Sequence, residues 1–181
     1  MTTAEHKQLI FDTCLAEDVE DTLQIAYVMA TAGVESDYGK NMVEKYNGTP
    51  EAYFEGKYAY QTRKGKELGN KHPGDGAKFR GRGYVQITGR YNYQRFSDLL
   101  DIDLVSRPEL ATDPDVAAEI LVIGMRDGLF TGKKLSDYLV TMEKLDLEGA
   151  RKIVNPGEKN RRLDEFEIEF NKAIAYINNQ T

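Results

Sequence analysis

The sequence predicts a mainly α fold with one small β element, in a single domain over residues 1–181. Apolar residues recur at three- and four-residue spacing in several separate stretches, while only one five-residue stretch alternates with period two. The chain shows no repeat and no linker, and its length suits one hydrophobic core.

Residues 21–35, DTLQIAYVMATAGVE, place Leu23, Ala26, Tyr27, Ala30 and Val34 on one face of an amphipathic helix. Upstream, Cys14 lies in the apolar run LIFDTCLA; as the only cysteine it forms no intrachain disulfide and reads as a buried, inert thiol made in a reducing compartment. Residues 39–83 carry nine glycines and two prolines and read as a long ordered loop with little helix, a length usually tied to function. YVQIT, residues 84–88, sets Val85 and Ile87 against Tyr84, Gln86 and Thr88, the pattern of a short strand with its polar face toward a cleft.

Helical spacing resumes in YNYQRFSDLL through Tyr93, Phe96 and Leu100. DPDVAAEILVIGMRDGLF reads as a buried helix with Asp113 as N-cap and Pro114 in its first turn. Two further amphipathic segments, 135–154 and 160–178, flank the NPGEKN turn.

The net charge of −6 is unevenly spread: between Lys57 and Arg95 ten Lys or Arg face only Glu67 and Asp75, a local +8. Such a segment either meets an anionic partner or is a solvated basic loop. No apolar stretch reaches membrane-spanning length, and MTTAEHKQ lacks the pattern of a signal peptide. His6 and His72 are far apart and no Cys/His cluster has ligand spacing, so no metal is expected. GRGYVQ is not GxGxxG and no P-loop occurs, which argues against a nucleotide. RGRG is similar to RGG-type nucleic-acid segments, but it runs straight into the alternating stretch.

Glu35 is the residue out of place. It falls on the stripe Ile25, Val28, Ala32, where desolvation favours the protonated carboxyl that a general acid needs; the alternative is a helix-end Glu turned to solvent. Glu44 lies nine positions later, beyond Gly39, and two carboxylates on opposite banks of a cleft are the minimum equipment for hydrolysing a glycosidic bond.

PGDGAKFRGRGYVQITGRYNY is similar to the signature of family 19 glycoside hydrolases, chitinase-like enzymes that include many bacteriophage endolysins. AGVESDYGKNMVEKYNG resembles the family segment that carries the catalytic acid, and RPELATDPDVAA with GMRDGLFTGKKLSDYL resembles the endolysin branch. KIVNPG and NRRLDEF resemble the Asn-Gly turn and Arg-led last helix, so the likeness runs over roughly residues 21–170. Val34 stands where the family has His, SDY follows Glu35 in place of glycines, and Asn155-Pro156-Gly157 replaces Asn-Gly-Gly.

The resemblance implies a lysozyme-like α+β fold and an inverting hydrolase without metal or cofactor. Glu35 would be the general acid and Glu44 the general base, with Thr88 holding the attacking water. Gln86, Asn92 and Asn155 would hydrogen-bond the sugar, and Arg161 or its neighbour Arg162 would sit near the base. Tyr84 and Tyr91 either line the cleft or pack in the core. Peptidoglycan carries carboxylates whereas chitin is neutral, so the basic segment favours peptidoglycan glycan strands as the partner. Chitin, or a catalytically silent glycan-binding module, is the alternative. The expectation is a monomer without nucleic acid, stable membrane association or separate wall-binding domain. It would be made in a host cytoplasm and reach the wall through a separate membrane-disrupting factor.

Overall fold

The computed structural model describes residues 1–155, 157 and 162–180. Nine α-helices are found among them, joined by 3-10 turns: α1 (Thr3–Ala16), α2 (Thr22–Ser36), α3 (Pro50–Tyr58), α4 (Arg63–Glu67), α5 (Asp75–Lys78), α6 (Arg90–Leu100), α7 (Pro114–Arg126), α8 (Leu147–Ala150) and α9 (Leu163–Asn178). The mainly α expectation holds. No described helix is long and apolar enough to cross a membrane.

α2 is the centre of the main core. Asp21 caps it by accepting from the Leu23 and Gln24 N–H groups, both at 3.0 Å. Every residue from Ile25 to Ala32 is buried, so the helix is enclosed on all sides rather than amphipathic, and each large side chain there contributes about 1.5–3 kcal/mol by leaving water. α9 packs along it more extensively than any other element, with Phe166 tilted against Tyr27, while α1 and α7 pack on each other. α7 starts as expected, with Asp113 capping and Pro114 first. A smaller core gathers Phe79, Ile87, Tyr93 and Phe96 with Ile120 of α7, and a third joins Phe54 and Tyr58 of α3 to Ala77 of α5.

The structure corrects three expectations. The region 39–83 holds α3, α4 and α5 rather than a loop with little helix. Thr49 and Thr62 cap the first two by accepting from Ala52 N and Gly65 N, at 3.2 and 2.9 Å. Residues 84–88 are not a strand. Arg82 and Ile87 pair as an isolated antiparallel bridge, with a tight turn over 83–86 between them, and a second bridge joins Arg82 to Val43, so the β element shrinks to these bridges. The segment 135–154 breaks into 3-10 turns and the single turn of α8. α1, unassigned from the sequence, carries a capping box between Thr2 and Glu5 and buries His6, Ile10 and Cys14; burial pushes the Cys14 thiol up to about 12, the inert state expected for it.

Asp75 ties α5 to α6. Its carboxylate takes Arg90 in a two-pronged contact at 2.6 and 2.9 Å and the N–H groups of Lys71 and His72 at 2.7 and 3.0 Å. Burial raises this carboxyl, but the Arg90 and backbone hydrogen bonds outweigh it and bring the pKa to about 2. Because the folded value lies below the usual 3.8, the stabilisation is present above pH ~4 and is lost as pH falls toward 2. Asp75→Asn should therefore lower stability at pH 7 by roughly 2–3 kcal/mol, with the difference from the unmutated protein shrinking through that acid window in urea melts. An equal difference at pH 7 and pH 2 would contradict the assignment.

Candidate active site

Glu35 occupies the last turn of α2, whose end is enforced by three consecutive left-handed residues, Asp37, Tyr38 and Gly39 (φ 51°, 48° and 87°). Two of these are not glycine, and each costs on the order of 1–2 kcal/mol. Tyr38 is repaid by burial and by donating its hydroxyl to Glu169 at 3.1 Å. The sharp reversal sends the chain back along the helix end, with Asn41 N–H on the Ser36 carbonyl at 2.9 Å, and delivers Glu44 nearby.

Glu35 is not turned to solvent: its side chain is only 16% exposed. Both terminal nitrogens of Arg151 stand 3.4 Å from its Oε1, and Asn155 Nδ2 donates to the same atom at 3.0 Å. Arg151 is 6% exposed and lies over the Phe166 ring, 5.1 Å from its centroid. Arg162, just before α9, donates to the Val34 carbonyl and to Glu165, tying the end of α2 to the start of α9.

Glu44 is held by a different scaffold. Its backbone N–H donates to the Gly81 carbonyl at 2.9 Å, and Gly81 N–H donates back to Glu44 Oε2 at 3.1 Å. Oε1 accepts from Lys57 Nζ at 2.7 Å and from the Tyr58 hydroxyl at 2.9 Å. Partial burial works against the Lys57 ammonium, yet its hydrogen bond to Glu44 prevails and holds its pKa above the ordinary lysine value. Each carboxylate oxygen offers about two acceptor positions. Among the described residues two donors fill Oε1 and one donor meets Oε2, so the room for a further donor is at Oε2.

The two carboxylates share one groove. A hollow of about 560 Å³ is lined by Glu35, Glu44, Asn41, Gln86 and Arg162, among others. A second of about 330 Å³ is lined by Gln86, Thr88, Asn92, Tyr58 and Asn155, among others. Gln86 belongs to both, and the bonds Asn155–Glu35 and Tyr58–Glu44 cross from one to the other, so the carboxylates stand at the waist between them. Gln86 gives its amide hydrogens to the carbonyls of Asn41 and Gly83, at 3.2 and 2.8 Å, which leaves Oε1 facing Glu44. A methyl group on Gly81 would lie 3.0 Å from both Gln86 Oε1 and Glu44 Oε2 and 3.2 Å from Glu44 Cβ, so the glycine lets the backbone pack closely against both side chains. Thr88 donates its hydroxyl hydrogen to the Gln86 carbonyl at 2.9 Å, and Asn92 Nδ2 donates to the Thr88 carbonyl at 2.9 Å.

Glu35, Glu44, Gln86, Thr88, Asn92 and Asn155 thus converge on the groove. Tyr84 does not line it: the ring is fully buried and its hydroxyl pairs with His6 Nδ1 at 2.6 Å, because the turn over 83–86 points it inward where a strand would have pointed it to the cleft. Tyr91 is exposed but lines separate hollows on another side of α6. Arg161 lies outside the described residues; its neighbour Arg162 lines the first hollow, on the Glu35 side. Gly83 and Gly89 do not face the groove either, since side chains there would strike the Ala111 and Leu68 carbonyls.

Sequence reasoning missed Arg151, Lys57 and Tyr58. The signal for Arg151 was of the same kind as that for Glu35: a charge set among Ala150, Ile153 and Val154. Two charges out of place on apolar stretches turn out to be partners. Lys57 and Tyr58 carried no such mark.

No family model matches the chain. Solved structures do. A point mutant of a chitinase C is 18% identical with a TM-score of 0.56, over 84% of this chain and 70% of that one. A bacterial family 19 chitinase, described as differing enzymatically from plant enzymes, is 16% identical with a TM-score of 0.57, over 96% of this chain and 93% of that one. The chain has the fold of the family 19 chitinases.

Proposed function

We propose that this chain is a glycoside hydrolase that cuts the β-1,4-linked glycan of bacterial peptidoglycan by single displacement. The observation that carries the reading is the placement of Glu35 and Glu44 at the waist of one groove on two independent scaffolds. Glu44 meets a cation at 2.7 Å and two further donors, the surroundings of a carboxylate kept as an acceptor. Among the described residues Arg151 stands 3.4 Å from Glu35 Oε1, and Asn155 donates to the same atom at 3.0 Å. Following the family resemblance, Glu35 is assigned as the acid and Glu44 as the base.

In the proposed reaction Glu35 gives its proton to the glycosidic oxygen as the C1–O bond breaks. A water oxygen bonds to C1 from the opposite face, and its proton passes to Glu44 Oε2. Among the described residues Glu44 Oε2 meets one donor, which leaves it able to accept from that water, and Gln86 Oε1 is a nearby second acceptor. Thr88, whose hydrogen is already donated, has acceptor capacity to offer the same water. Asn92 and Asn155 are assigned to the sugar's hydroxyl and acetamido groups.

Peptidoglycan is favoured by the endolysin-like segments. The charge argument is narrower than the sequence suggested, because Arg82 is buried, Arg90 and Arg95 are engaged by Asp75 and Tyr91, and Lys64, which lines the groove, stands 3.7 Å from Glu67, while Lys45 at the groove lies outside the basic segment. On this reading the protein is an endolysin, made in a host cytoplasm and delivered to the wall by a separate membrane-disrupting factor. Chitin is the second reading, favoured by the two chitinases that share the fold.

Incubation with purified peptidoglycan and with chitin oligomers, followed by identification of new reducing ends, tests the proposal. New ends from peptidoglycan are expected; ends from chitin alone would select the second reading, and none from either would refute the hydrolase. Glu35→Gln should keep the fold and glycan binding while losing on the order of 10²–10⁴ in rate, and undiminished turnover would remove Glu35 as the acid. Gly81→Ala should fold, since no positive φ is required there, yet lower kcat at least roughly tenfold, because the added carbon would press on Gln86 Oε1, Glu44 Oε2 and Glu44 Cβ at 3.0–3.2 Å and shift the base. Unaltered kcat would show that the position of Glu44 is not set by Gly81.

A further inference from the structure

We propose a second glycan-binding site on the outer side of α6, centred on Tyr91, that takes an N-acetylhexosamine segment of the same polymer outside the cleft; it rests on the glycoside-hydrolase reading above. Tyr91 is 57% exposed, more than any other aromatic side chain among the described residues. Adjacent Asn92 lines the cleft, so one turn of one helix presents a polar side chain to the groove and a flat ring away from it.

The ring is held as if for stacking. Its backbone N–H donates to the Leu68 carbonyl at 3.1 Å, and its hydroxyl accepts from Arg95 Nη2 at 2.6 Å. The Arg95 guanidinium lies 4.6 Å from the ring centroid and is itself anchored by donating to the Leu129 carbonyl. Gly69 presses against the base of the side chain, where an added Cβ would come within 2.8 Å of Tyr91 Cβ. A ring so fixed loses little freedom on binding.

Two hollows of about 550 and 300 Å³ meet at Tyr91 and Gln94. Arg95, Asp98 and Leu99 belong to the larger, and Lys71 and His72 to the smaller. Gln94 Nε2 donates to Asp98 Oδ1 at 2.7 Å, leaving the Gln94 oxygen and the second Asp98 oxygen as acceptors beside the ring. An apolar plate edged by a few fixed acceptors and donors matches a pyranose, whose ring hydrogens form an apolar face and whose hydroxyl and acetamido groups lie at its rim. A nucleic-acid backbone is a poorer match: Asp98 repels it, and Arg90 and Arg95 are already occupied by Asp75 and Tyr91. A second grip on the helix that borders the cleft would raise the effective concentration of a long chain at the cleft without helping a short one.

The test titrates the Glu35→Gln protein with the β-1,4-linked N-acetylglucosamine tetramer and follows backbone amides by NMR. Two separate sets of shifts are expected, one around Glu44 and Gln86 and one around Lys71, Tyr91 and Gln94. Adding Tyr91→Ala should erase the second set alone. In the otherwise unmutated protein, Tyr91→Ala should lower turnover of insoluble polymer about tenfold while tetramer cleavage, which depends on the cleft, stays within about twofold. Shifts confined to the cleft, equal losses on tetramer and polymer, or a dimer that Tyr91→Ala converts to monomer would each overturn the second site while leaving the hydrolase intact. Absence of both shift sets together with absence of cleavage of the tetramer and of peptidoglycan alike would instead sink the hydrolase reading on which it rests.

Discussion

A buried arginine organises the wall that carries half of the candidate site. Arg82 is 6% exposed, and a guanidinium cannot shed its proton, so the chain must bring acceptors to it. It does so with neutral oxygens: Nη1 donates to the Lys78 carbonyl at 2.8 Å and to the Tyr93 hydroxyl at 2.9 Å, and that hydroxyl donates onward to the Arg80 carbonyl at 2.8 Å. The Arg82 backbone exchanges hydrogen bonds with Ile87 in both directions, at 2.9 and 3.2 Å. The loop around Gly81 is thereby fixed from inside, and Gly81 in turn fixes Glu44 through its carbonyl and its N–H. What a polyanion platform would have displayed outward, this protein uses inward.

Glu35 depends on none of this. It rides on the most enclosed helix of the molecule, and its partners Arg151 and Asn155 come from the segment leading toward α9. The separation has a chemical consequence on the proposed reading. Among the described residues Arg151 and Asn155 hold Glu35, and Lys57, Tyr58 and Gly81 hold Glu44, so each carboxylate is positioned independently for its own role.

The helices that build the core were legible because burial writes itself into period and caps: the existence of α2, though not its enclosure on all sides, and the Asp113-Pro114 start of α7 both read correctly. Glycine density hid α3 and α4, although Thr49-Pro50 and Thr62 are N-cap signals that outweigh scattered glycines when read as starts. The alternation of YVQIT misled because it does not match the burial, in which Tyr84 and Ile87 are inside while Val85, Gln86 and Thr88 are partly exposed; the pairing of Arg82 with Ile87 across a turn over 83–86, and with Val43, is a tertiary fact. Glu35 and Glu44 stood out as residue types at a spacing, and with Gln86 they became site candidates through the family resemblance. Lys57 and Tyr58 were not, since only the folded position of α3 beside Glu44 gives them meaning.

The central claim is that Glu35 and Glu44 act on opposite faces of one sugar, with water rather than Glu44 bonding to the anomeric carbon. Proton NMR of the fresh reducing end, recorded on a defined oligosaccharide before mutarotation, tests it most directly. Single displacement with carboxyl groups roughly 6.5–9.5 Å apart releases the α anomer first from a β-linked chain, and that is the predicted result. A β anomer appearing first would mean a covalent intermediate and would contradict the account.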